Sequence, residues 1–297
     1  MSWLVLALIA SFLFGTTNFI DRFLVEKRIK DPFFVSIIGG IVAPLVGLVV
    51  FAFRGFPVLP LGEMSILMLG GVLAEVALVP WYKAIKIDDT SRVVPYFQFI
   101  PVIVLGMSYA FLKEHLTSDQ LIGFALIIAG GLSLAIERSP REIIKIRRSF
   151  WYIMLSIMMW APMVVIFKLI ALEENFWDSV VYNSFGIGIG AIILQVYAKT
   201  GTIKGMRSIT TSTWGVVITN ELLYLFARIL QFYAVLIGPT ALVSVVGGIQ
   251  PLFALVIGLA LSKWVPQIIK EDTKKGTVVL KLVAIAIIFV GVVFINR

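Results

Sequence analysis

Apolar runs long enough to cross a bilayer recur ten times along the chain, at 3–20, 33–53, 63–85, 93–112, 119–136, 151–170, 177–198, 213–236, 241–262 and 278–296. A helix needs about 20 apolar residues to cross the hydrocarbon. The runs are continuous and too long for the alternating strands of a barrel, so they predict helices, which satisfy their own backbone groups in lipid. The most polar stretch, ERSPREIIKIRRS at 137–149, falls between the fifth and sixth runs. It divides the chain into two sets of five segments, residues 1–136 and 150–297, with 137–149 as the linker.

The two sets resemble each other. Trp81–Lys113 aligns without a gap on Gln231–Lys263, at an offset of 150. Eight of its 33 positions match: Ala84/Ala234, Ile87/Ile237, Thr90/Thr240, Val93/Val243, Pro101/Pro251, Leu105/Leu255, Ala110/Ala260 and Lys113/Lys263. The shared order says more than the count, because an apolar composition inflates chance matches. In both copies an apolar helix end is followed by a polar turn at Thr, then by a helix broken by proline near its middle.

Composition agrees with a membrane setting. The chain is 60% hydrophobic and 14% charged, with a mean hydropathy of +1.01; a soluble domain carries about a quarter charged residues. The net charge of +8 does not mark a nucleic-acid binder, because the basic residues sit in short loops between apolar runs. With no cysteine, there is no disulfide framework and no thiolate metal site. No Lys or Arg precedes the first run, so it reads as a retained span and not a cleaved signal.

Charge sets the expected orientation. Twenty of the 25 Lys and Arg lie around the loops after segments one, three, five, seven and nine; Arg54, Lys113, Lys168 and Arg297 lie on the other side, and Arg228 lies within a segment. The positive-inside rule then predicts a cytoplasmic 137–149 loop and outside termini in the cell membrane. Corresponding loops of the two halves carry opposite charge character: VEKRIKD after segment one against LEENFWD after segment six. Five segments per repeat require this reversal, so an all-α fold of ten transmembrane helices in two inverted five-helix repeats is expected, a plan common in secondary transporters.

Ala84-Ile85, Ser91, Pro101 and Phe111-Leu112-Lys113-Glu114-His115-Leu116-Thr117, running into Gly123, Gly130 and Gly131, resemble the EamA repeat of the drug/metabolite transporter superfamily. The second copy keeps Ala234, Thr240 and Pro251 but has Trp264-Val265-Pro266 in place of the Glu-x-Leu-Thr turn. The resemblance implies two EamA repeats and a central cavity lined by the third, fourth, eighth and ninth segments. Members move very different solutes, so it implies no substrate.

Ionisable residues inside spans are costly and mark candidate function. Glu75 lies in segment three; Glu221, Tyr224, Arg228 and Gln231 share one helical face of segment eight. Gln98 and Gln250 flank the paired prolines. Glu75, Gln98, Glu221, Tyr224, Arg228 and Gln231 are therefore the expected substrate-binding residues. The alternative is structural: an ion-pair network with Arg228 satisfied by Glu75 or Glu221. With two acids and one Arg, one acid is left over, and such a carboxylate is suited to exchanging a proton. Asn18 either lines the cavity or bonds a neighbouring helix, and Trp160-Ala161-Pro162 marks either a kink or a stacking surface. Trp3, Trp81, Trp151, Trp177, Trp214 and Trp264 lie near segment ends, where interfacial anchoring is expected.

Enzyme motifs are missing. No HExxH, Cys/His cluster or GxSxG occurs. The Gly186–Ala191 run lies inside an apolar segment and not between a strand and a helix. Asp88 and Asp89 read as a solvated turn. The expected activity is secondary transport of a small metabolite by alternating access, proton- or exchange-coupled, with no cofactor or metal and no nucleic-acid partner. A lipid-modifying membrane enzyme and a non-transporting scaffold are the alternatives.

Overall fold

The computed structural model describes residues 2–29, 32–87, 94–135, 147–198, 209–253, 256–257 and 275–296. Among these every regular element is helical: α1 (Trp3–Lys27), α2 (Pro32–Phe53), α3 (Leu61–Val76), α4 (Leu78–Ile87), α5 (Phe99–Met107), α6 (Ser118–Ala135), α7 (Arg148–Ala171), α8 (Phe176–Ala198), α9 (Thr211–Ile237), α10 (Thr240–Gly247) and α11 (Lys275–Ile295). Six stretches are long and apolar enough to cross a membrane, and Tyr96–Leu112, Ser118–Ser133, Thr240–Phe253 and Lys281–Ile295 are shorter apolar helices. The ninth expected run, 241–262, is described only through Phe253 and at 256–257. The Asp88–Asp89 turn, Ser91 and the 137–146 part of the linker lie outside the described residues.

Side-chain chemistry accounts for the helix ends. Ser2 and Thr210 cap α1 and α9, accepting from Val5 and Thr213 N–H. Thr117 and Gln120 form a reciprocal capping box before α6, at 3.0 and 3.2 Å. Proline accounts for the breaks, because it cannot donate to the carbonyl four residues earlier. Pro80 leaves Val76 without a helical donor, where α3 gives way to α4. Pro101 does the same to Phe97, where a 3-10 turn over Val94–Gln98 hands over to α5. Pro251 does it to Gly247, the last residue of α10. The expected proline break therefore occurs at the same register in both copies.

Helix packing follows a pattern. α1 lies on α9 and α10; α7 lies on α3, α4 and α5; α2 pairs with α8, α5 with α10 and α6 with α11. Lipid gives helices no hydrophobic reason to associate, so close contact depends on small residues and dispersion. Gly71 of α3 sits on the Asn183 carbonyl of α8, and Gly186 of α8 sits on the Met68 carbonyl of α3. A Cβ at either position would overlap backbone. The glycine run at 186–190 is thus a packing surface. Gly186→Leu is expected to destabilise the bundle by about 3 kcal/mol or more, visible as loss of the monodisperse peak in detergent chromatography, while Gly106→Leu, with open space around it, leaves that peak unchanged.

Candidate functional site

The site is built on α9. Its residues Asn220, Glu221, Tyr224, Arg228 and Gln231 fall on one face, and the apolar Leu222, Phe226, Tyr233 and Ile237 are exposed on the opposite one. The 3.6-residue period puts the polar stripe toward α1 and α2 and the apolar stripe toward lipid. Tyr224, at 42% exposure, still meets Phe14 of α1 edge-on, with ring centroids 5.3 Å apart.

Arg228 is buried. Its Nη2 donates to Asn183 Oδ1 at 3.0 Å and lies 2.9 Å from Met163 Sδ, and its guanidinium sits 5.3 Å from the centroid of the Phe232 ring. Nε has no hydrogen-bond partner. Among the described residues no carboxylate reaches ion-pairing distance of it. The structure thus holds Arg228 by an amide, a thioether and a ring, and not by the Glu75 or Glu221 pair that the structural alternative required.

Glu75 comes from the other side of the interior. Its stem packs on Gly190 of α8, its Oε1 points to Gly40 of α2, and that oxygen is buried without a hydrogen-bond partner. Glu221 is half-buried, with its carboxylate against Gly39. Two successive glycines on α2 therefore leave room for two carboxylates from different helices. Asp21 of α1 joins them, accepting from Asn220 Nδ2 at 2.6 Å. The Tyr82 hydroxyl of α4 bonds Ser36 Oγ and lies within the electrostatic reach of Asp21, Glu75 and Glu221 together. The Arg228 charge reaches Glu75 and Tyr224.

The amides lie further along. Gln98 is buried; its Nε2 donates to the Gly248 carbonyl at 2.9 Å and its Oε1 is unpartnered. These two residues are 150 apart, the offset of the repeat. Gly131 and Gly248 form the cradle, since a Cβ on either would collide with the Gln98 amide. The Gln231 amide lies beside Gly247, one turn of α9 beyond Arg228. Asn18 donates to Gln250 at 3.0 Å, and Ser11 donates to the Val246 carbonyl at 2.9 Å. The structure therefore places Glu75, Glu221, Tyr224 and Arg228 in one neighbourhood and Gln98 and Gln231 at the break of α10. Trp160 donates its indole N–H to the Ala74 carbonyl at 2.8 Å, inside a continuous α7.

Sequence reasoning missed Asp21, Asn183, Asn220 and Tyr82. Asp21 lies one residue past the expected end of the first run. Asn220 carries no charge and precedes a residue that does. The signal that could have found Asp21 is its helical spacing of three from Asn18.

A second polar cluster closes the opposite end of the bundle. Lys168 of α7, buried, donates to Glu114 Oε1 at 2.6 Å and to the Gly238 carbonyl at 2.7 Å. Glu114 in turn accepts from Thr240 N–H at 2.8 Å and Thr240 Oγ1 at 3.0 Å, at the start of α10. Arg54 and Asp178 bridge α2 and α8 at the same end, at 2.9 Å. His115 packs edge-on against Tyr109 there.

Apolar surface outside and buried charge inside define a multi-pass membrane protein. Residues 1–135 match the EamA-like transporter family, and the drug/metabolite transporter superfamily fits that match. An uncharacterized protein of Methanocaldococcus jannaschii is 28% identical over 135 residues, 45% of this chain and 96% of that protein. A solved crystal structure of a protein matches with a TM-score of 0.74 over 99% of this chain and 98% of that one. At 12% identity it shares the fold.

Proposed function

We propose that the protein is a secondary transporter of a small metabolite, working by alternating access around the interior between α3 and α9. The observation that carries this reading is the buried, unpartnered Glu75: the Arg228 charge reaches it, but no hydrogen bond or ion pair joins the two. A scaffold would gain by pairing or replacing them, because an isolated charge in a membrane interior costs about 2.5–3.5 kcal/mol or more. A solute pathway needs such a carboxylate free. Glu75, Gln98, Glu221, Tyr224, Arg228 and Gln231 line the solute's path, and a proton or an exchanged solute drives it. A lipid-modifying enzyme fits less well, because the polar groups lie within the bundle and not at the membrane surface.

Two inverted five-helix repeats, 1–136 and 150–297, supply the rocking halves in this reading. Packing supports it. Exchanging the halves turns the α1–α9 contact into α7 against α3 and α4, turns α1–α10 into α7–α5, and returns α2–α8, α5–α10 and α6–α11 to themselves. The half-length archaeal relative supports it too, as a protein that spans little more than one such repeat. Reconstituted in liposomes, the protein is expected to give saturable, protein-dependent flux for a member of a metabolite panel; strict impermeability across a panel of cations, anions and neutral metabolites would contradict the reading.

Orientation follows the charge asymmetry, with 137–149 cytoplasmic and both termini outside. The chain has no cysteine, so Val58→Cys and Ser212→Cys each give a single thiol at an exposed site. An impermeant maleimide is expected to label position 58 from outside and position 212 only after permeabilisation. The reverse result would invert the topology.

A further inference from the structure

We propose that the interior site takes an organic cation, held by the carboxylates of Asp21, Glu75 and Glu221. The proposal rests on the transporter reading and adds the class of solute. Among the described residues, three carboxylates reach the site from three helices, against one guanidinium. That guanidinium is already engaged by Asn183, Met163 and Phe232. Glu75, at 8% exposure, points an unpartnered oxygen toward Gly40, and no protein group among the described residues donates to it. Glu221 stands beside it with no protein donor among the described residues. A bound ammonium group supplies what is missing, N–H donors that carry a positive charge. With the carboxylates ionised, an anion would meet like charge from three directions, and a neutral solute would leave the Glu75 charge uncompensated.

The surroundings suit an amine with an apolar body. Tyr224 presents an exposed ring beside Phe14, and aromatic faces attract cations. Lys83, the nearby lysine of α4, is turned away over the rings of Tyr152 and Tyr197, at 5.9 and 5.1 Å. Among the described residues, the titratable and charged groups facing the carboxylates are Tyr82 from α4 and Tyr224 and Arg228 from α9; α2 and α8 contribute Ser36 and Asn183, which carry no charge. Protons compete with the cation for the three carboxylates, so its affinity falls as the pH is lowered.

The test uses the full chain in lipid nanodiscs and three probes of similar shape: 2-phenylethylammonium, phenylacetate and 2-phenylethanol. Equilibrium binding is expected to favour the ammonium over both others by about tenfold or more. Glu221→Gln and Asp21→Asn each weaken it by about tenfold, and Lys83→Gln does not. Glu75→Gln does the same if it folds; Glu221, being half-buried, carries the test if it does not. Phenylacetate binding as tightly as the ammonium, or no binding of any probe, overturns the proposal. Flux of the same probes separates the two readings. Phenylacetate carried across the membrane would keep the transporter and discard the cation. Ammonium bound but never carried would keep the site and discard transport.

Discussion

Glu75→Gln and Glu221→Gln are each expected to flatten the pH dependence of the proposed solute flux. In the wild type the interior holds Asp21, Glu75, Glu221 and Arg228, with Glu75 lacking a hydrogen-bond donor and Arg228 lacking a carboxylate. In the proposed cycle a carboxyl there changes its protonation when the site opens to water and changes it back when the site closes, and this would couple the proton to the solute. Glutamine keeps the shape and removes the titration. Coupling between two ligands is typically worth about 5- to 150-fold, and that is the expected loss in the ratio of fluxes measured at acid and alkaline pH. Arg228→Met separates the structural part. Its guanidinium holds Asn183 across from α9 to α8, so the variant is expected to lower thermal stability, whereas Glu221→Gln leaves it near wild type. Gln variants that kept both the wild-type rate and its pH profile would remove the coupling role.

Lys168→Met opens the far end of the bundle. Lys168 joins α7 to Glu114 and to the Gly238 carbonyl, and Glu114 joins the turn before α6 to the first N–H of α10. Removing one member of a buried pair leaves the other charge uncompensated, at a cost of about 3–5 kcal/mol. Both side chains are well shielded, at 10% and 16% exposure, so solvent offsets little of that cost. The variant is expected to melt earlier. Adding Glu114→Gln should recover part of the loss, because the stranded carboxylate is then gone. A single thiol near this end, at Tyr109, is expected to react faster in Lys168→Met than in wild type. Equal melting and equal reactivity would show that the cluster is not a latch.

Much of this arrangement was legible in the residue order, for a physical reason. Lipid forces backbone bonding into helices and forces charge inward. Runs of apolar residues therefore predict the helices, and Glu75, Glu221 and Arg228 stand out at once. Proline breaks are local, so Pro101 and Pro251 place the interruptions of α5 and α10 from sequence alone. The partners of each polar group were not legible. Asn183 against Arg228, Asn220 against Asp21 and Lys168 against Glu114 are long-range contacts between uncharged or loop-end residues, and no periodicity encodes them. The structural alternative gave Arg228 a carboxylate, and it finds an amide and a sulfur, while Gly39 and Gly40 leave room for the acids against α2. The glycines at 71 and 186 were visible as small residues, but only packing shows which carbonyl each one meets.

The measurement that tests the central claim most directly is the accessibility of one thiol at Tyr224. With no native cysteine, Tyr224→Cys reports on the interior between α1 and α9 alone. Alternating access predicts that an impermeant thiol reagent reaches it from either face of the membrane, and that locking the far end with a cross-link between positions 114 and 168 abolishes reaction from that face only. A thiol that stays unreactive from both faces, in a protein that remains folded, would mean a dry interior and would contradict the account.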